Sequence, residues 1–277
     1  MLLAAGCASD QPQDARAPAS DTRQAALTVL DSLRQDVFRG AFGNLKSYTF
    51  TRRLRTVQLG VDGGAPSARR SRVIRYGYRG GERTVQVERA DSSGAFDLGW
   101  LGNFADRGDL RADVENMGRQ IIDEEPPYLA RRSRESFRYR LAGDTLLGGR
   151  SARIVAIEPR PSAAGEQAVK RARLYVDRAT DQLVGVRLKR QSRSLLLDET
   201  SRLRVFLQPT YIDGPLHKTK STPNGRLHMN RAQQRVNTAW VPASTRFTTR
   251  LDVPVLDERA FRTSSSFTNY AARRSSP

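Results

Sequence analysis

The chain has 277 residues, room for one large domain or two small ones and for a sizeable core without disulfides. Its hydrophobic fraction of 38% and charged fraction of 27% describe a folded chain with a wet surface or an open cavity rather than a disordered one. The net charge of +18 raises nucleic-acid binding, but the basic residues are dispersed, and no apolar run reaches the roughly 18 to 20 residues that cross a bilayer as a helix.

The single cysteine excludes an internal disulfide, and its place near the start is informative. Leu2-Leu3-Ala4-Ala5-Gly6-Cys7 resembles a lipobox, the small-residue cleavage site whose cysteine is lipidated in bacterial lipoproteins. The resemblance implies that residues 1–20 are a truncated lipoprotein signal, lipobox and polar tether, with the true start further upstream; the alternative is an accidental match, a disordered N-terminus with an incidental thiol. Ala8 and Ser9 lack the aspartate that retains enterobacterial lipoproteins in the inner membrane, so the outer membrane is the expected address.

Residues 22–42 carry Ala26, Leu30, Leu33, Val37 and Ala41 at three- and four-residue spacing, widened by Leu27 and Phe38, which predicts one amphipathic helix. Asp21 and Gln24 are placed as a capping box, and Gly40 and Gly43 as the stop. From Tyr48 the period changes to two: Tyr48, Phe50, Arg52 and Leu54 share one face, Thr49, Thr51, Arg53 and Arg55 the other. A Gly/Pro/Ser loop over residues 60–67 leads to a strand at 70–78, and Gly80-Gly81 turns into another at 84–89.

Residues 92–134 break the pattern, with a helical candidate at 110–122 and a Pro126-Pro127 stop. Strands follow at 136–141, 152–158, 169–177, 183–189 and 201–207, with turns at Gly148-Gly149 and 178–181. Ala172, Leu174 and Val176 share a face, as do Val184, Val186 and Leu188, and Leu203, Val205 and Leu207, leaving Arg mostly on the other. A polar loop over 209–235 precedes strands at 238–241 and 245–253 and a further one at 260–270, with a frayed tail at 271–277.

Leu45-Lys46-Ser47-Tyr48-Thr49-Phe50, straight after the helix, together with the run from Leu174 through Asp177-Arg178-Ala179-Thr180-Asp181 to Val184 and the Gly turn before Ala152-Arg153-Ile154-Val155, resembles the LolA, LolB and RseB superfamily of periplasmic lipoprotein-handling proteins. The likeness covers residues 22–270 in layout and about thirty of them in recognisable sequence. It implies an α+β, mostly antiparallel fold: an open, unclosed half-barrel formed by a long meander, with an N-terminal helix and a mid-chain helical insertion on the concave side. Residues 21–270 are then one domain.

On such a half-barrel the apolar set of the concave face forms a ligand groove, with Phe50, Leu54, Ile74, Tyr76, Val85, Val87, Leu174, Val176, Val186, Leu188, Val205 and Leu207 as lining candidates. Ordinary packing against the helix or a second layer is the competing role for each. Trp100 and Trp240 are candidates for a cavity rim or for core. Arg52-Arg53-Arg55 and Arg69-Arg70-Arg72 have the chemistry of phosphate clamps, against a solvated sheet face as the plainer role. Only five of the 47 basic residues are Lys, a skew that a GC-rich genome produces without selection for a site.

Catalytic signatures are absent from the sequence. His217 and His228 match no metal motif, Asp123-Glu124-Glu125 before Pro-Pro reads as a solvated helix end, and there is no GxSxG elbow or phosphate-cradling Gly loop ending in Lys-Ser/Thr. No enzyme activity, cofactor or metal is expected. The expectation is an envelope lipoprotein, lipid-anchored through Cys7 on the periplasmic side, whose groove binds acyl chains of lipids or lipoproteins. The alternative is an envelope scaffold or sensor that contacts a protein partner through the same sheet. An anionic membrane surface is a further partner, and nucleic acid is not expected, a polyanion binder being the third reading.

Overall fold

The computed structural model describes residues 19–60, 65–79, 82–96, 126–193, 198–212, 238–253 and 256–272. Two helices, α1 (Ala19–Asp31) and α2 (Asp36–Gly43), and a short 3-10 turn at Asn44–Ser47 lead into the first strand. The strands are β1 (Tyr48–Leu59), β2 (Ala68–Arg79), β3 (Glu82–Ser93), β4 (Phe137–Leu147), β5 (Arg150–Pro159), β6 (Val169–Asp177), β7 (Leu183–Arg193), β8 (Asp198–Tyr211), β9 (Thr238–Val253) and β10 (Leu256–Ala272). Among the described residues they form one antiparallel sheet in the order β3-β2-β1-β10-β9-β8-β7-β6-β5-β4. The sheet is open: β3 and β4 are its two edges, and the connection between them, of which residues 97–125 lie outside the described part, joins one edge to the other.

Consecutive strands pair throughout except β3 and β4, the two edges, and β1 also pairs with β10 from Tyr48 opposite Ala272 to Leu59 opposite Ala260. That single long-range pairing joins the N-terminal arm, β1 to β3, to the C-terminal meander. Both helices lie on one face, here called inner, with α1 against β4 and α2 against β9 and β7. Ala26, Val29 and Leu30 of α1 and Phe38, Ala41 and Phe42 of α2 meet Phe137, Tyr139, Val155, Ile157, Leu174, Val186 and Val205 in the main core. Full burial of one such large apolar side chain contributes about 1.5 to 3 kcal/mol, so the amphipathic stripe is what holds the helices there.

The predicted single helix over residues 22–42 is two helices. Apolar spacing continues through the break, but the Arg34 backbone is engaged elsewhere: its N–H donates to the Asp181 carbonyl at 2.9 Å, and its carbonyl accepts from the Leu183 N–H at 2.8 Å. This bridge pins the inter-helix link to the β6–β7 turn. Because α1 begins at Ala19, Asp21 lies in its first turn rather than at the cap, where its charge complements the helix dipole. The strands expected at 238–241 and 245–253 are one continuous β9, and β8 runs to Tyr211, so Pro209 is in a strand and not in the loop assigned to residues 209–235.

Val184 is also placed differently. A bulge opposite Tyr175 and Val176 puts Leu183 in the main core and turns Val184 to the outer face, where it packs with Ala152 and Tyr175. Gly185 follows between Tyr175 and Phe206, whose rings meet edge to face at 5.0 Å; a Cβ there would lie 2.4 Å from Phe206 Cδ1. The Gly148-Gly149 turn is as expected, with φ of 55° and 79° that glycine adopts without strain. The helical candidate at 110–122 lies outside the described residues.

Candidate functional site

Period-two geometry and the strand register place the predicted groove residues on the inner face, in two groups. Leu174, Val176, Val186, Leu188, Val205 and Leu207 lie on β6 to β8, are at most 7% exposed and belong to the core that includes Phe38 and Phe42 of α2. Phe50, Leu54, Ile74, Tyr76, Val85 and Val87 lie on the β1–β2–β3 wing, where Phe50 faces Tyr76, Tyr76 faces Val85 and Ile74 faces Val87. Phe50, Leu54 and Ile74 are buried and Tyr76 is half-buried, whereas Val85 is 60% and Val87 53% exposed. β3, which carries both valines, is exposed at every position from Glu82 to Ser93.

The wing holds an aromatic cluster. Phe50 stacks on Tyr76 at 4.6 Å and on Tyr270 at 5.5 Å, and Phe267 lies 6.2 Å away. The Arg83 guanidinium sits 4.8 Å from the Tyr76 ring centre and 5.9 Å from that of Phe50, so the cluster has an apolar body and a cationic lip. Burial holds the Tyr270 hydroxyl well above its ordinary pKa, and the group donates to the Pro242 carbonyl at 2.8 Å. Further along the same face the lining turns polar: Arg52 Nε donates to Ser265 Oγ at 3.0 Å, and Thr56 and Thr263 share a hydrogen bond of 3.3 Å. An apolar strip running into a buried polar belt suits a ligand with a hydrocarbon body and a polar head.

Phe267, Tyr270 and Arg83 join this cluster without having been singled out in the sequence. The first two sit three apart, which breaks a period of two; a bulge with Asn269 at φ 56° turns both rings inward. The Arg clusters are divided by the pleat, Arg52 pointing inward while Arg53 and Arg55 point outward. Arg70 is on the inner side, 5.7 Å from the Phe96 ring centre. Trp240 bridges the main core and the small outer cluster, with Arg150 at 5.7 Å from its ring.

The run from Asp177 to Asp181 is a structural turn. The Asp177 carboxylate, 1% exposed, accepts from the Ala179 and Thr180 N–H groups at 3.1 Å each, from Thr180 Oγ1 at 2.9 Å, and from Arg150 Nε and Nη2 at 2.6 and 3.0 Å. The Arg150 bonds, then those from Thr180 and Ala179, hold its pKa below the usual carboxylate value against the opposing effect of burial. Near α1, Tyr139 donates to the Tyr128 carbonyl at 3.0 Å, and burial pushes its hydroxyl up to about 12. These groups secure the β4–β6 end of the sheet, opposite the wing.

Among the described residues no cluster of three metal-ligating side chains occurs, and no helix is long and apolar enough to cross a membrane. Cys7, Trp100, Asp123-Glu124-Glu125, His217 and His228 lie outside the described residues.

No family model matches the chain, and no curated protein sequence does. Among solved structures it is similar to a putative outer membrane lipoprotein-sorting protein domain from Vibrio parahaemolyticus, with 8% identity over 94% of this chain and 95% of that one and a TM-score of 0.25. It is also similar to a LolA superfamily protein from Nitrosomonas europaea, with 10% identity over 92% and 95% and a TM-score of 0.23. A chain of the Pseudomonas aeruginosa MucA/MucB complex is a third, with 14% identity over 91% and 100% and a TM-score of 0.22. At these scores the likenesses assign no role to any residue of this chain.

Proposed function

We propose that this chain is a non-catalytic protein of the bacterial envelope, anchored on the periplasmic side of the outer membrane by lipid on Cys7, with residues 8–18, ahead of α1, as tether, and that it binds acyl chains of lipids or lipoproteins on the inner face of its sheet. One observation carries this: on a face otherwise closed by α1 and α2, the apolar strip of the β1–β3 wing remains exposed at Val85 and Val87, beside Phe50, Ile74 and Tyr76. Each methylene transferred from water to such a surface contributes about 0.8 kcal/mol, so a chain of about sixteen carbons gains on the order of 10 kcal/mol before entropy is counted. The polar belt at Arg52, Thr56 and Ser265 would then face the head of the ligand.

Native mass spectrometry of the full chain carrying Cys7→Ser, made in a bacterial host, tests the proposal. A co-purifying phospholipid or fatty acid at fixed stoichiometry, removed by organic extraction and reduced by Val85→Arg with Val87→Arg, is the expected result. A clean unliganded mass that added lipid does not change would contradict it. A protein partner is the second reading, favoured by the exposed edge strand β3, whose outward backbone groups can pair with an added strand.

A further inference from the structure

The outer face carries a row of guanidinium groups. Strand register sets Arg173 of β6 opposite Arg187 of β7, Arg187 opposite Arg204 of β8, and Arg204 opposite Arg246 of β9. The row continues as Ser264 on β10, Arg55 on β1 and Ser71 on β2. Like charges directly opposite one another in a sheet work against folding, and here four stand side by side on consecutive strands.

Their surroundings leave the charges uncompensated. None of the four forms an ion pair with a described carboxylate; Glu158 on this face pairs with Arg171 at 2.7 Å, and the row meets an acid only at its far end, where Asp91 of β3 stands opposite Ser71. Arg187 and Arg204 lean on Phe206 at 5.4 and 5.3 Å from its ring centre, and Arg187 also lies 5.4 Å from that of Tyr175. Arg204 Nε is buried with no hydrogen-bond partner among the described residues. Burial, then the neighbouring Arg246 and Arg187, hold this guanidinium below its ordinary pKa. Beside it opens a groove of about 560 Å³ lined by Arg204, Arg246, Arg53, Arg55 and Arg89, with Ser71, Ser244, Ser264 and Ser266 among the remaining lining.

We propose that this groove and the arginine row beside it bind a linear anionic polysaccharide, its carboxylates or phosphates taken by successive guanidinium groups and its hydroxyls by the serines. Successive strands lie about 4.8 Å apart, on the order of the length of one sugar unit, so one charge per residue can meet one arginine per strand. The alternatives fit less well. Single-stranded nucleic acid needs open aromatic faces on which bases stack, and those of Tyr175 and Phe206 are occupied by Arg187 and Arg204. An extended acidic peptide gains most by adding to a sheet edge, whereas the row crosses mid-sheet strands whose backbone groups are already paired. A membrane surface meets a protruding face better than a recessed groove. The arginine row lies on the opposite face of the sheet from the proposed acyl strip, with Leu54 and Ser265 bordering both, and the proposal stands or falls independently of that strip.

The test uses the full chain and a fluorescent oligogalacturonate of about ten sugars, titrated by anisotropy at physiological salt, with neutral dextran as control. The oligogalacturonate binds and dextran does not. Combining Arg187→Gln, Arg204→Gln and Arg246→Gln weakens binding at least about tenfold, while Arg39→Gln, Arg131→Gln and Arg132→Gln, an equal charge loss on the helical side, changes it less than about twofold. Thermal unfolding of the first triple should be no lower than that of the parent, since like charges have been removed; the exposed single variant Arg246→Gln, expected to weaken binding measurably, guards against a folding defect. Equal loss in both triples, or none in either, would overturn the proposal. So would tighter row-dependent binding of poly-glutamate, an oligonucleotide or phosphatidylglycerol vesicles.

Discussion

Asp177 shows how much one side chain can hold. Its carboxylate closes its own turn and ties that turn to Arg150 at the start of β5, while almost wholly removed from solvent. Losing one partner of a buried, hydrogen-bonded pair costs about 3 to 5 kcal/mol, and the partial exposure of Arg150 puts Asp177→Asn at about 3 kcal/mol. Because the folded pKa is lowered, the contribution is complete above the unfolded value of about 3.9 and is lost as pH falls through the folded one. Urea midpoints measured from pH 7 to pH 2 should therefore fall less steeply with acid in Asp177→Asn than in the parent. The sequence showed this turn plainly, since Asp and Thr at that spacing cap a turn locally. It did not show the bulge that sends Val184 outward, because a register shift depends on which residues of β6 stand opposite.

At the scale of elements, the helices and nearly all strands were legible from periodicity, because one face of each is buried by its neighbours. Boundaries depending on distant partners were not. The break between α1 and α2 follows from Arg34 pairing its backbone with Asp181 and Leu183, about 150 residues away in sequence, and nothing in the local apolar spacing announces it. Among the described residues the side chain of Arg34 makes only an exposed pair with Asp36 at 3.2 Å, worth up to about 1 kcal/mol. Arg34→Ala should thus be nearly neutral, whereas Arg34→Pro removes the N–H bonded to Asp181 and should cost about 3 kcal/mol. Thermal unfolding of the two variants separates a backbone role from a side-chain one. The inner-face candidates divide for a similar reason: alternation puts Leu174 and Val85 on the same face, but only the position of the helices decides that the first is core and the second exposed.

For the whole molecule, the open sheet separates two surfaces of different chemistry. The inner one is apolar and aromatic, closed over β4 to β9 by two helices and exposed at the β3 edge; the outer one is crossed by arginines. Joining the β1–β3 arm to the rest of the sheet depends on the pairing of β1 with β10, a contact between strands far apart in sequence of the kind that makes folding slow. The composition was consistent with this arrangement but silent on it, since a dispersed positive charge along the sequence becomes a row only once strands are aligned.

The central claim is that the exposed strip of the wing holds an acyl chain, and photolabelling tests it most directly. A sixteen-carbon fatty acid bearing a diazirine, irradiated with the full-length Cys7→Ser chain and mapped by peptide mass spectrometry, should label the peptides carrying Phe50, Ile74, Tyr76, Val85 and Val87 and be competed by unlabelled fatty acid. Labelling spread over the outer face, or insensitive to competitor, would contradict the account.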